Sequence, residues 1–316
     1  MWTRRRVCLI LSNLSLCLSG LHLYAQTTVV PAHVFPLGAW DQRGQFIEEI
    51  KSDQIRIKGL AATIRRVELD NAARHIILLL DTSGSMGKYQ TASWSNAAQT
   101  AVQFVLERQE NDLIELDTFS DDHEVVVPFT VDSKSVIRQI EAITNSGRGR
   151  TMLGRALTDI LTSKANGLRF GDAIILVSDG EYSEADETDL AKLRNKFIRM
   201  GVRVCLLRVP PISVFRGVRD ASEFITGTGG IELRMSPGAV HAPEQAPRHV
   251  DPHIIGHSVR AAYGFVKTFY RVELDVSGPI RRPRKFSLEV LDQQGRNLER
   301  VELNYSRYLL PPLAQP

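Results

Sequence analysis

Hydrophobic positions along this chain follow two rhythms. Between residues 74 and 235, short apolar runs alternate with stretches of helical period. Ile76-Ile77-Leu78-Leu79-Leu80 and Ala173 to Val177 have no polar position on either face, as a strand buried on both sides of a parallel sheet requires. Val202 to Val209 is a third predicted buried strand. Helical patterns occupy Tyr89–Arg108, Val136–Ile143 and Met152–Lys164, where Leu153, Ala156, Leu157, Ile160 and Leu161 share one face. A further helix is predicted over Glu187–Met200, with acids in its first turn, bases in its last and Gly201 just beyond, which suits the macrodipole and a C-terminal cap. Strands alternating with helices predict an α/β domain with a doubly wound, mostly parallel sheet.

The flanks read differently. Residues 27–70 are predicted strands: Val29 to Trp40, a turn at Asp41-Gln42-Arg43-Gly44, Phe46-Ile47, the alternating Gln54-Ile55-Arg56-Ile57, and Thr63 to Leu69. Residues 236–252 hold Pro237, Pro243, Pro247 and Pro252 and read as a linker. A short helix over His253–Phe265 leads into strands Tyr270–Val276 and Lys285–Tyr305, the latter containing Asp292-Gln293-Gln294-Gly295, an echo of the first turn. The expected organisation is a targeting segment (1–25), an N-terminal β segment (26–72), the α/β domain (73–235), a linker (236–252) and a C-terminal helix with a β segment (253–316). The two strand zones are expected to pack as one β module with the α/β domain inserted between them.

Composition adds limits. The chain has 316 residues, 43% hydrophobic and 24% charged, in the range of a globular protein. Arg4, Arg5 and Arg6 precede the apolar stretch Val7 to Leu23, and Leu23-Tyr24-Ala25 can precede a cleavage point; this is the pattern of a secretory signal. The expectation is an exported protein, periplasmic or extracellular, touching a membrane only where that segment is retained as an anchor. The formal net charge is +3, and the three arginines of the segment account for all of it. A balanced mature chain gives no electrostatic reason for a nucleic-acid partner. Cys8 and Cys17 fall in the segment, leaving Cys205, which is expected to be a buried core thiol.

The candidate chemistry sits where apolar strands end. The first runs into Asp81-Thr82-Ser83-Gly84-Ser85-Met86, and a later one into Ser178-Asp179-Gly180. Thr151 opens a helix after the glycine-rich Ser146-Gly147-Arg148-Gly149-Arg150. In open α/β sheets ligands bind at the carboxyl ends of strands. Two carboxylates, Asp81 and Asp179, and three hydroxyls, Ser83, Ser85 and Thr151, are therefore expected to converge at one sheet edge. Hard oxygen donors in that number suit Mg²⁺ or Mn²⁺, and five protein side chains leave room for a carboxylate from outside. Arg148 and Arg150 are further candidates for attracting an acidic ligand.

This constellation resembles the metal-ion-dependent adhesion site of von Willebrand factor A domains. The resemblance implies a Rossmann-like fold, with Ser83, Ser85 and Thr151 as direct or near-direct ligands and Asp81 and Asp179 often acting through water. Phe119-Ser120-Asp121 and Thr228-Gly229-Gly230 are similar to the same family, and the flanking strands resemble, more loosely, bacterial exported "VWFA-related" proteins. The implied function is metal-dependent binding of a protein ligand that presents Asp or Glu, with no catalytic residues.

Other readings compete. The same residues can merely cap a helix and shape a turn. The metal can serve only to stabilise a scaffold, or act as a Lewis acid in a hydrolase, for which Glu181 is the one base nearby. Asp-Thr-Ser-Gly also occurs in aspartic proteases, but those need an all-β frame and a second matching aspartate. Ser85-Met86-Gly87-Lys88 fits Ser-x-x-Lys without the partner motifs of penicillin-recognising enzymes. His253 and His257 stand one helical turn apart without the glutamate of a zinc peptidase; together with His241 and His249 they read as a His-rich surface.

Overall fold

A computed structural model describes residues 33–87, 91–144, 148–164, 167–210, 218–235 and 249–312. The targeting pattern and most of the predicted linker lie outside the described residues. The described residues start with strands β1 (His33–Trp40), β2 (Ile55–Lys58) and β3 (Ala62–Asp70). Then come β4 (His75–Asp81), helix α1 (Thr91–Glu107), β5 (Leu113–Phe119), β6 (His123–Thr130), α2 (Ser133–Ala142) and α3 (Leu153–Lys164). These are followed by β7 (Ala173–Ser178), β8 (Glu181–Ser183), α4 (Leu190–Met200), β9 (Arg203–Arg208), β10 (Val218–Asp220), α5 (Ser222–Gly227) and β11 (Glu232–Arg234). The chain ends in α6 (Pro252–Lys267), β12 (Phe269–Val276), β13 (Arg284–Lys285), β14 (Ser287–Val290), β15 (Glu302–Asn304) and β16 (Tyr308–Leu309).

The central sheet has six strands in the order β11-β9-β7-β4-β5-β6. Its pairings are parallel except for the edge strand β6, which runs antiparallel to β5. Period-2 alternation divides β4 between two cores. Ile76, Leu78 and Leu80 face the cluster that includes Ala97, Phe104, Val136 and Val259, from α1, α2 and α6. Ile77 and Leu79 face Leu157, Ile160, Leu193, Phe197 and Ile225, from α3, α4 and α5. Helices therefore cover both faces, which is why the strand tolerates an unbroken apolar run. Cys205 is a free thiol buried in the first of these cores, and burial pushes its proton affinity up.

Helix α4 starts later than its pattern predicts. Asp189 accepts a hydrogen bond from the Lys192 amide at 3.0 Å and acts as the N-cap, so Glu187 precedes the first turn instead of lying within it. Gly201 closes the helix in the left-handed region, φ +66°.

The strands before and after the α/β region share a sheet, ordered β15-β1-β12-β3, in which β1 and β3 both pair antiparallel with β12. Phe35, Leu37, Tyr270, Val272, Phe286 and Leu288 form its core. The two echoed turns adopt the same conformation. The carboxylates of Asp41 and Asp292 each accept from the amides two and four residues on, and Gly44 and Gly295 have φ of +69° and +75°. The second turn breaks the long predicted strand Lys285–Tyr305 into shorter pieces.

The junction between the two parts is built from cations. Wholly buried Arg203 on β9 donates to the carbonyls of Phe265 at 2.8 Å and Val266 at 3.0 Å, two of the last carbonyls of α6. Arg74, just before β4, donates to the next carbonyl, Lys267, at 3.3 Å and to the Asp70 carboxylate at 2.6 Å. The two guanidiniums lie 4.3 and 4.5 Å from the ring centroid of Phe269, the first residue of β12. Helix carbonyls with no intrahelical partner, and the negative end of the macrodipole, are thus satisfied by charge. Burial lowers the pKa of Arg203 to about 10, which leaves it charged at neutral pH.

Arg203→Met keeps the stem but removes the donors to Phe265 and Val266. It should lower unfolding free energy by roughly 3 kcal/mol, the scale of charge-assisted bonds left unmade. Urea denaturation followed by circular dichroism measures this; an unchanged midpoint would show that the junction does not need the charge.

Candidate metal centre

Three loops at the carboxyl edge of the central sheet are stitched together through their backbones. The Thr82 amide and hydroxyl donate to the Phe119 carbonyl at 2.9 and 3.0 Å, tying the loop after β4 to the end of β5. The Gly84 amide donates to the Gly149 carbonyl and the Met152 amide to the Ser120 carbonyl, each at 3.0 Å. The Ser183 amide reaches the Thr151 carbonyl at 2.9 Å. Gly149, at φ +90°, is required: a Cβ there would lie 3.0 Å from the Asp121 carboxylate.

The five predicted residues come together on this framework. Thr151 donates its hydroxyl hydrogen to Ser83 Oγ at 2.9 Å, and Ser83 Oγ lies 3.1 Å from Ser85 Oγ. These hydroxyls form a chain running from buried Ser83 to half-buried Ser85. The carboxylates lie deeper. Asp81 is fully enclosed; its Oδ1 accepts from the Ser83 amide at 2.9 Å and its Oδ2 from the Ser178 hydroxyl at 2.6 Å. Asp179 is buried beside it, its Oδ1 accepting from the Glu181 amide at 3.0 Å and lying 3.5 Å from Ser178 Oγ. Asp81 does shape its turn, as the helix-capping reading requires, but Ser83 makes no side-chain cap.

Electrostatically the site is starved of positive charge. Burial, and then the Asp179 carboxylate, raise the Asp81 pKa to about 7. Among the described residues no Lys, Arg or His pairs with either carboxylate. The Arg208 guanidinium lies against Gly180 but is bound to Glu232 and Asp220, each at 2.8 Å. Two crowded carboxylates and three hydroxyls, all hard oxygen donors, fit a divalent cation of the Mg²⁺ type. Among the described residues no three His, Cys, Asp or Glu side chains are grouped to hold a metal, so any ion here needs the hydroxyls.

Other candidates are placed differently. Arg150 is engaged by Asp121 at 3.0 Å, which holds that carboxyl below its usual range, while Arg148 is exposed. Glu181 is half-buried, with burial and Asp179 raising its proton affinity. His253 and His257 lie exposed on α6, and His241 and Lys88 fall outside the described residues. Two supporting residues escape the sequence reading. Ser178 bridges the carboxylates; its place directly before Asp179 is its only signal. Asp186 accepts from the Gly154 amide at 2.6 Å and so fixes the start of α3 next to Thr151. Nothing in the pattern links those positions, 32 residues apart.

Ser178→Ala strips Asp81 Oδ2 of its donor and the Gly180 amide of its acceptor. It should cost about 1–3 kcal/mol of stability in metal-free buffer, measured by urea unfolding. A loss no larger than scatter would mean that the carboxylate finds another donor.

Residues 76–181 match the von Willebrand factor type A domain, a span that contains all five oxygen-bearing positions. No curated protein matches the chain. Among solved structures, the chain is similar to BatB from Bacteroides thetaiotaomicron at 20% identity, over 62% of this chain and 100% of that one, with a TM-score of 0.46. An aerotolerance-related membrane protein from Bacteroides fragilis aligns at 17% identity over 61% and 98%, TM-score 0.45. Manganese-loaded TRAP protein from Plasmodium vivax aligns at 14% over 77% and 97%, TM-score 0.42. These likenesses are too distant to speak for the site. The match over residues 76–181 and the doubly wound sheet give the α/β part of this chain the Rossmann-like fold of von Willebrand factor type A domains.

Proposed function

We propose that the chain is an exported, metal-dependent protein-binding module in which Asp81, Ser83, Ser85, Thr151 and Asp179 hold Mg²⁺ or Mn²⁺ and the partner presents an Asp or Glu. The carrying observation is the hydroxyl chain Thr151–Ser83–Ser85 laid beside two buried carboxylates that no side-chain cation neutralises. A bound ion would supply a positive centre able to accept an anionic oxygen from outside.

The chain's own residues set how strongly that centre attracts. Ser83, Ser85 and Thr151 are neutral donors, so direct contact through them leaves more of the ion's charge for the partner than carboxylate ligation would. Asp81 and Asp179 sit behind, held by Ser178 and by the Ser83 and Glu181 amides, and provide long-range negative charge without filling every position. A partner's carboxylate would add the oxygen that these residues leave to an outside ligand, so binding would depend jointly on ion and acid. Work outside the cytoplasm is part of this proposal and rests on the N-terminal pattern. Among the described residues no helix is long and apolar enough to cross a membrane.

Asp81→Asn is the cleanest variant, because it keeps the shape: its amide oxygen still accepts from the Ser83 amide and its NH2 donates to Ser178 Oγ, whose own hydrogen turns towards Asp179, whereas Ala would leave both buried donors unmatched. Calorimetric titration with Mn²⁺ should show binding by wild type and none by Asp81→Asn, with the variant's melting temperature in EDTA at or above that of wild type. A Glu-containing peptide should bind in Mg²⁺ and be released by EDTA. Peptide binding indifferent to EDTA would contradict the mechanism; a metal-raised melting temperature with no peptide binding would favour the scaffold reading.

A further inference from the structure

The near-neutral total conceals a separation of charge. The C-terminal strands carry Arg281, Arg282, Arg284 and Lys285 within five positions, all exposed. Lys285 on β13 pairs in register with Tyr308 on β16, and the Phe286 amide donates to the Arg307 carbonyl at 3.1 Å. This pairing brings Lys285 and Arg307 to one wall of a cleft of about 260 Å³, whose opposite wall is Arg194 of α4 with Glu223, Thr226 and Gly227 of α5.

The local packing pre-sets Arg194. Its stem lies on Gly227, where a Cβ would come within 2.4 Å of Arg194 Cδ, so the absent side chain makes the groove for it. Its guanidinium stacks 4.4 Å from the ring centroid of Tyr308, which holds the plane of the fork. Nε is buried without a hydrogen-bond partner. Among the described residues Arg194, Lys285 and Arg307 form no ion pair, although Arg56, Lys58, Arg74, Arg150, Arg155, Lys164 and Arg208 do. Among the described residues Glu223 is the one acid lining the cleft, so three cations outweigh it.

We propose that this cleft binds a phosphate group, with Arg194, Lys285 and Arg307 as its donors. Like charges gathered around a concavity raise the local potential, and that arrangement persists most readily where an anion neutralises it. The Arg194 fork offers paired N–H donors that match two oxygens of a tetrahedral phosphate, while Lys285 acts as a point charge. The cleft holds a phosphate with part of what it is attached to, and the exposed Arg281, Arg282 and Arg284, just before Lys285 in the chain, add to the local positive charge. The ligand is therefore a phosphate either on a small soluble molecule or on a lipid headgroup. This proposal is independent of the metal centre and requires no divalent ion.

The test uses residues 26–316 in EDTA, with inorganic pyrophosphate in calorimetry and phosphatidylcholine vesicles with and without phosphatidylglycerol in co-sedimentation. The comparison variant carries Lys285→Gln and Arg307→Gln, both at exposed positions, and circular dichroism checks its fold. Wild type should bind at least one probe, with the variant weaker by about tenfold or more and the interaction fading as salt rises. Pyrophosphate binding alone assigns the site to soluble phosphates; phosphatidylglycerol-dependent sedimentation that the variant loses assigns it to a headgroup. Binding of neither probe, or equal binding by the folded variant, overturns the proposal.

Discussion

Everything at the candidate site follows from the burial of β4 and β7 on both faces. From Ile76 to Leu80 and from Ala173 to Val177 no side chain reaches solvent, so these strands have no face on which to carry polar chemistry. Polar groups can emerge only where the strands end. The two strands are parallel neighbours, and pairing of Leu80 with Val177 puts Asp81 level with Ser178 and Asp179 one residue beyond. Register alone therefore explains why Ser178 is the direct donor to Asp81, and why two carboxylates crowd together.

The remaining loops are positioned by backbone hydrogen bonds that do not depend on the side chains of the site. Gly84 to Gly149, Met152 to Ser120 and Ser183 to Thr151 hold the hydroxyl-bearing segments against the strand ends. The charges of Asp81 and Asp179 are costly in this enclosure, and folding tolerates them because the hydrophobic cores on both sides of the sheet outweigh that cost. Uncompensated buried carboxylates at one sheet edge support the proposal of a site for an external cation.

Much of this was legible in the chain. Unbroken apolar runs identified β4 and β7, the short oxygen-bearing residues after them marked the candidate site whose side chains the fold gathers, and the echoed Asp-x-x-Gly turns at Asp41 and Asp292 proved to be the same turn. What stayed hidden depends on contacts between positions far apart. Arg203 reads as an oddity in an apolar strand until α6 lays its last carbonyls on it, from 62 and 63 residues away. Glu115 and Asp117 on β5 are buried against Lys164 and His123, each at 2.8 Å, because α3 and β6 close over them, and no local pattern reveals those partners. The cleft of Arg194, Lys285 and Arg307 was equally invisible, since β13 and β16 had to pair before its walls met.

The most direct test of the metal centre is diffraction from crystals of residues 26–316 grown in Mn²⁺, recorded at the manganese edge. The account predicts one strong anomalous peak enclosed by Ser83, Ser85 and Thr151, with Asp81 and Asp179 behind it. A peak at the exposed His253 and His257, or none at all with the five side chains ordered as here, would contradict it.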